Sequence, residues 1–154
     1  MLAPLIYEDS FKVGAMRVIV ADNDRVIRET IRGLLGASPD IEVVAEAASG
    51  SEAVILTLQH SPDLVIMDIS MPYMNGLEAT QRILNHKPEV KIVALSINHN
   101  SALVKRMCQA GAAAYVTKGG AATDLIPALR AAHAGKTFVS PGLDPTHFIK
   151  DKSR

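Results

Sequence analysis

The sequence predicts an α/β fold, a doubly wound sheet of five parallel strands with helices on both faces. Short apolar runs rich in β-branched residues alternate with longer segments of helical periodicity, which is the pattern of βα units. The runs LVIM and IVAL are apolar throughout, as is typical of strands that helices cover on both sides. Five such units favour the flavodoxin-like strand order 2-1-3-4-5.

The elements follow one another regularly along the chain. The predicted strands are residues 17–21, 42–46, 64–67, 91–95 and 113–116. The predicted helices are residues 25–35, 51–60, 77–86, 102–110 and 122–134. Glycine and proline, which end regular structure, lie close to the joins: Gly36, Pro62, Pro88, Gly111 and Gly135. In the first helix one face carries apolar residues, which predicts packing in the core: Val26, Ile27, Ile31, Leu34 and Leu35.

The length of the chain suits a single domain. With 154 residues, 48% of them hydrophobic, it can form one buried core but not two ordinary ones. We expect the domain to occupy residues 16–136. Residues 1–15 are expected to be a flexible extension, and residues 137–154, rich in turn-forming residues, a frayed tail or the start of a linker.

Charge and cysteine content exclude several classes of protein. Lys+Arg and Asp+Glu each number 16, so no global basic field attracts nucleic acid or acidic lipid. Cys108 is the single cysteine, which fits a reducing cytoplasm. The apolar stretches are shorter than the roughly 18 residues that a membrane-spanning helix needs, and the first residues lack the features of a secretory signal. We therefore expect a cytoplasmic protein without membrane contact.

Polar residues follow the ends of four predicted strands. Asp22 and Asn23 follow the first strand, Asp68 the third, Ser96 the fourth, and Lys118 comes shortly after the fifth. In open parallel sheets the carboxyl ends of the strands border the active crevice, so these side chains should converge. Carboxylate and amide oxygens suit Mg²⁺, while serine and lysine donate to anionic oxygens. The set predicts a site for phosphoryl chemistry.

Asp68 is the best candidate for a nucleophile in such a site. It ends the most apolar strand, at the rim of the core and within reach of the other loops. A second carboxylate beside it, Asp22, makes ionisation costly unless Mg²⁺ or Lys118 offsets the repulsion. A strand-terminal aspartate on its own is often only a helix cap or a turn residue. The functional interpretation therefore depends on the whole set.

Four segments of the chain resemble the signature blocks of response-regulator receiver domains. They are RVIVADN, DLVIMDISMPYMNGLEA, KIVALS and AGAAAYVTKGG, and the similarity extends over about residues 17–142. The ADN start, the ALS strand and the ending AGKTFVSPGL are most similar to NarL/LuxR-type regulators. Members of that group usually continue into a helix-turn-helix DNA-binding domain. We expect this chain to be either a stand-alone receiver or a piece of such a longer regulator.

The resemblance implies a phosphorylation switch of a two-component system. Asp68 would accept a phosphoryl group from a sensor histidine kinase, with Mg²⁺ held by Asp22, Asn23, Asp68 and the carbonyl of Ser70. Ser96 and Lys118 would bind the phosphoryl oxygens. Such a domain is not otherwise an enzyme, beyond self-catalysed phosphotransfer and weak autodephosphorylation.

The resemblance also implies how the signal leaves the site. Tyr115 matches the switch aromatic, which swings inward when the hydroxyl of Ser96 moves toward the phosphoryl group. The surface of the fourth helix, fifth strand and fifth helix would then change, so as to control transcription. A homodimer through the fourth and fifth helices is compatible with this, and DNA would be contacted only by a helix-turn-helix domain beyond this chain.

One departure keeps a second hypothesis open. The family usually carries two adjacent acids after the first strand, whereas here the second is Asn23, followed by Asp24. Losing a charge weakens the attraction for Mg²⁺. The alternative is a pseudo-receiver that keeps the fold as a protein-interaction module independent of phosphate. The joint presence of Asp22, Asp68, Ser96 and Lys118 argues against it.

Overall fold

The computed structural model describes residues 14–97 and 100–148. Its strands are β1 (Met16–Ala21), β2 (Ile41–Ala47), β3 (Leu64–Asp68), β4 (Lys91–Ser96), β5 (Ala114–Thr117) and β6 (Phe138–Val139). Its α-helices are α1 (Arg25–Gly36), α2 (Gly50–His60), α3 (Gly76–His86), α4 (Ser101–Gln109) and α5 (Ala121–His133). Two 3₁₀ turns cover Lys118–Gly120 and Thr146–Phe148. The predicted flexible extension falls almost entirely on residues 1–13, outside the described residues.

The strands form one parallel sheet in the order β2-β1-β3-β4-β5-β6. One face packs on α2, α3 and α4 through residues such as Ala53, Ile83 and Met107. The other face packs on α1 and α5 through residues such as Leu35 and Leu129. The predicted doubly wound fold, with order 2-1-3-4-5, is confirmed. Because helices cover both faces, β3 is buried along its whole length, as its apolar sequence indicated.

The sixth strand is an addition to the predicted five-stranded sheet. Phe138 and Val139 pair in parallel with Ala114 and Tyr115 of β5. Beyond them the Thr146–Phe148 turn lies against α4, and Phe148 is buried in the core. The expectation of a frayed tail from residue 137 is therefore wrong as far as residue 148, because a two-residue pairing and one buried aromatic hold the segment in place.

No helix within residues 14–97 and 100–148 is long and apolar enough to cross a lipid bilayer.

Glycine at position 76 allows α3 to begin directly against the end of β3. A Cβ atom at Gly76 would clash with the carbonyl oxygen of Asp68 and would lie 2.8 Å from Cα of Ile69. The amide of Gly76 donates to the carbonyl of Ile69 at 3.0 Å, which fixes the loop between strand and helix. The close approach therefore positions the backbone on which Asp68 is mounted.

We expect Gly76→Ala to lower the free energy of unfolding by about 1–3 kcal/mol, because the backbone must move to admit the methyl group. Gly33→Ala is the matched control, since Gly33 is an exposed helical position with open space around its Cα. That change should raise the free energy of unfolding by about 0.5–1 kcal/mol through helix propensity. Urea denaturation of both variants measures the effects, and equal responses would contradict the role of Gly76.

Candidate functional site

Three charged side chains meet at the carboxyl end of the sheet. Asp22 follows β1, Asp68 ends β3, and Lys118 follows β5. The Lys118 Nζ atom lies 2.9 Å from Oδ2 of Asp22 and 3.4 Å from Oδ1 of Asp68. Both carboxylates are almost fully buried, whereas the Lys118 side chain is 19% exposed. The arrangement is the convergence that the strand ends predicted.

Burial and mutual repulsion set the electrostatics of the cluster. Burial raises the pKa of Asp68, and the negative charge of Asp22 raises it further. The amide of Ser70 and the ammonium of Lys118 offset part of this rise. Burial lowers the pKa of Lys118, but its close contact with Asp22 and the charges of both acids outweigh that effect and hold this pKa above the usual range. Lys118 is therefore charged, and its single ammonium group interacts with both acids.

The donor set around Asp22 fits a small divalent cation. The buried Oδ2 atom of Asp22 has no hydrogen-bond partner of ordinary geometry, although it lies close to Lys118 Nζ. Its Oδ1 atom accepts from the amide of Asp24 at 2.8 Å. Among the described residues no three His, Cys, Asp or Glu side chains form a metal-binding group. Asp22 and Asp68 could supply two carboxylates, and backbone carbonyls and water would complete the oxygen ligands that Mg²⁺ prefers.

Asn23 and Asp24 are arranged differently from a pair of site acids. Asn23 is exposed. Asp24 caps α1, since its Oδ1 atom accepts from the amide of Val26 at 2.9 Å and more weakly from that of Ile27 at 3.5 Å. The acid one place later in the sequence therefore serves the helix, so it does not replace the charge that Asn23 lacks.

The loop after β3 lies against Asp68. The amide of Ser70 donates to Oδ1 of Asp68 at 3.2 Å, while Ser70 itself is exposed. Met71 is buried, which anchors the loop in the core. A Cβ atom at Gly50, the first residue of α2, would clash with the carbonyl of Met74. The backbone of Ser70 is thus held beside the acid, where the sequence predicted a carbonyl ligand.

Ser96, at the end of β4, contacts Tyr115 in the neighbouring strand β5. Both are fully buried, and the hydroxyl of Tyr115 hydrogen-bonds with Ser96. Burial raises the pKa of Tyr115, and the hydrogen bond with Ser96 partly offsets it. The structure therefore has Tyr115 in an inward position, connected to the serine at the end of β4.

Sequence analysis missed two residues that support the site. The Arg28 Nη1 atom donates to the carbonyl of Asp22 at 2.7 Å, and its Nε atom bonds Glu46 at 3.2 Å. Ser140 donates to Asp124 and accepts from the amide of Thr117, next to Lys118. The contacts of Ser140 join residues that are distant in sequence, and neither Arg28 nor Ser140 belongs to a recognisable motif. An arginine on the first turns of a helix that follows an acidic strand end was the only available signal.

A cavity of about 410 Å³ lies elsewhere, at the amino-terminal edge of the sheet. It is lined by residues such as Val90, Lys91 and Lys136, and none of the strand-end residues borders it.

The chain belongs to the response regulator receiver domain family, whose family model matches residues 18–130. Response regulator GacA of Pseudomonas viridiflava is 36% identical over 126 residues, which are 82% of this chain and 59% of that protein. Response regulator UvrY of Escherichia coli K12 is 35% identical over 125 residues, 81% of this chain and 57% of that protein. The chain thus spans less than three-fifths of the length of these curated relatives.

Solved structures agree with this assignment. A two-component response regulator of the LuxR family from Aurantimonas sp. SI85-9A1 is 33% identical, with a TM-score of 0.82, covering 87% of this chain and 95% of that one. The receiver domain of RcsB from Escherichia coli is likewise 33% identical, with a TM-score of 0.75, over 82% of this chain and 98% of that one. The resemblance to NarL/LuxR-type regulators is confirmed.

The raised pKa of Asp68 predicts how stability depends on pH. In the folded protein Asp68 holds its proton more tightly than in the unfolded chain, where its pKa is near 3.8. The free energy of unfolding should therefore fall as the pH rises from about 3.8 through the folded-state pKa, and the full penalty remains at neutral pH.

We expect Asp68→Asn to unfold at higher urea concentration than the unaltered chain at pH 7 when divalent cations are removed with EDTA. The gain should shrink on acidification and vanish below the unfolded-state pKa, because Asp68 is then protonated in both states. Urea denaturation across this pH range measures the difference. A gain that is the same at every pH would show that the charge of Asp68 is not its cause.

Proposed function

We propose that the chain is a phosphorylation switch that accepts a phosphoryl group on Asp68 from the phosphohistidine of a sensor histidine kinase. The observation that supports this most directly is the contact of Lys118 with both Asp22 and Asp68 in a nearly buried site. A packed core alone gives no reason to gather two carboxylates and an ammonium there. Phosphoryl transfer needs chiefly positioning and neutralised charge, which this cluster can supply.

The residues would divide the work as follows. Asp68 would attack phosphorus through a carboxylate oxygen, and the bond to the donor's nitrogen would break. Lys118 and Ser96 would donate to the phosphoryl oxygens. Asp22, Asp68, the Ser70 carbonyl and more weakly Asn23 would hold Mg²⁺. The ion, when bound, would supply positive charge that offsets the negative charge of the carboxylate and phosphoryl oxygens.

The buried contact of Tyr115 with Ser96 supports a route for the signal. If Ser96 turns toward a phosphoryl oxygen, the environment of the Tyr115 hydroxyl changes, and Tyr115 lies in β5 between α4 and α5. A local change in charge would then bias the surface of α4, β5 and α5 between two arrangements. We infer that this surface, alone or in a homodimer, passes the signal to transcription in the cytoplasm.

The pseudo-receiver remains the competing function, favoured by Asn23. It predicts that the cluster exists without being phosphorylated. The contacts of Lys118 support the switch instead. An ammonium group loses hydration when it lies in a nearly buried site, and core packing alone gives no reason for that loss.

Phosphorylation of the purified chain tests the proposal. Acetyl phosphate with Mg²⁺ should add one phosphoryl group, about 80 Da by intact mass, and Asp68→Asn should abolish the gain. Asp24→Asn is the matched control, because it removes a nearby acid yet keeps a side chain that can cap α1. It should be phosphorylated at close to the normal rate. If no gain is seen at any Mg²⁺ concentration, the pseudo-receiver is favoured.

We expect Asn23→Asp to bind Mg²⁺ more tightly, by about threefold to tenfold, because a carboxylate adds attraction for the cation at an exposed position. Isothermal titration calorimetry with MgCl₂ gives the two affinities, with Asp68→Asn as the weakened reference. A variant that binds Mg²⁺ no better than the unaltered chain would place Asn23 outside the ion's reach.

A further inference from the structure

Ser140 links the segment after α5 to the end of β5. Its buried hydroxyl accepts from the amide of Thr117 at 3.1 Å and donates to Oδ2 of Asp124 in α5 at 2.9 Å. Its own amide donates to the carbonyl of Tyr115 at 3.0 Å. Ser140 therefore forms hydrogen bonds on both sides of Val116 and connects the end of β5 to the first turn of α5.

Thr117 carries this constraint to Lys118. The hydroxyl of Thr117 accepts from the amide of Gly120 at 3.1 Å, which caps the Lys118–Gly120 turn. Space around that turn is tight, since a Cβ atom at Gly120 would lie 2.6 Å from Oδ2 of Asp124 and 2.9 Å from the hydroxyl of Thr117. With Thr117 held by Ser140, the backbone that carries Lys118 has little freedom.

We propose that Ser140 is a positioning residue for Lys118 and couples residues 138–140, which lie along β5, to the phosphoacceptor site. This inference rests on the proposed function, because it concerns the same lysine. Ser140 contacts neither Asp68 nor Asp22 and acts through Thr117.

The coupling acts in both directions. Docking of residues 138–140 on β5 fixes the turn that carries Lys118. If docking of these residues changes the free energy of phosphorylating Asp68, phosphorylation must change the free energy of docking by the same amount. The segment that leads away from the domain thereby senses the state of the site through one hydroxyl.

Hydrogen exchange and phosphorylation kinetics of the 154-residue chain test the proposal. In Ser140→Ala, amides 117–120 should exchange at least about fivefold faster than in the unaltered chain, since the variant loses both bonds of the hydroxyl. The amides of β3 should be unaffected. Acetyl phosphate should phosphorylate Ser140→Ala more slowly. Phosphorylation should change exchange at residues 138–140 in the unaltered chain but not in Ser140→Ala.

Two further variants separate positioning from general destabilisation. Leu143→Ala loosens the segment beyond Ser140 but keeps the hydroxyl, so exchange at 117–120 and the phosphorylation rate should stay within about twofold of normal. Ser140→Thr restores a hydroxyl and should recover the phosphorylation rate. If Ser140→Ala also raises exchange in β3, Asp124→Ala removes the other partner of the hydroxyl and should show the same loosening at 117–120.

The outcomes distinguish this inference from the proposed function. Unchanged exchange at 117–120 in Ser140→Ala overturns the positioning role, whether or not the chain is phosphorylated. Slowing of phosphorylation by Leu143→Ala to the same extent as by Ser140→Ala also overturns it. Failure of the unaltered chain to take a phosphoryl group would instead refute the proposed function, and exchange at 117–120 would still decide the positioning role.

Discussion

Repulsion between two buried carboxylates, Asp22 and Asp68, is the constraint on which the site depends. Burial and the charge of Asp22 raise the pKa of Asp68, and among the described residues Lys118 contacts both acids. Much of the surrounding structure holds these three groups in place. Arg28 fixes the backbone of Asp22, the loop after β3 fixes Asp68, and Ser140 fixes the turn of Lys118 through Thr117. The negative charge that remains makes the site receptive to a cation.

The fold and the centre of the site follow closely from local sequence. Strands as apolar as LVIM can only be buried, and parallel strands place the residues after them at one edge, so Asp22, Asp68 and Lys118 could be identified before any coordinates. The helix bounds fall within a residue of those predicted, because glycine and proline mark the joins. Local pattern and tertiary packing agree over this part of the chain.

What could not be predicted depends on contacts between distant residues. Phe138 and Val139 carry no more strand signal than many two-residue stretches, and only the exposed edge of β5 makes them a strand. The bond from Thr117 to Ser140 spans 23 residues and leaves no periodicity in the sequence. The role of Asp24 was ambiguous for a different reason, because an aspartate after a strand suits a helix cap and a metal site equally well.

The short strand β6 has a consequence for how the sheet ends. A parallel sheet that stopped at β5 would offer a row of unpaired amides and carbonyls to any other extended chain. Phe138 and Val139 pair with part of that row. Pro141 follows two residues later and has no backbone N–H group to donate to a further strand. The sheet therefore ends in a strand of only two residues, which offers little length for pairing with another extended chain; very short edge strands are one way in which proteins discourage edge-to-edge association.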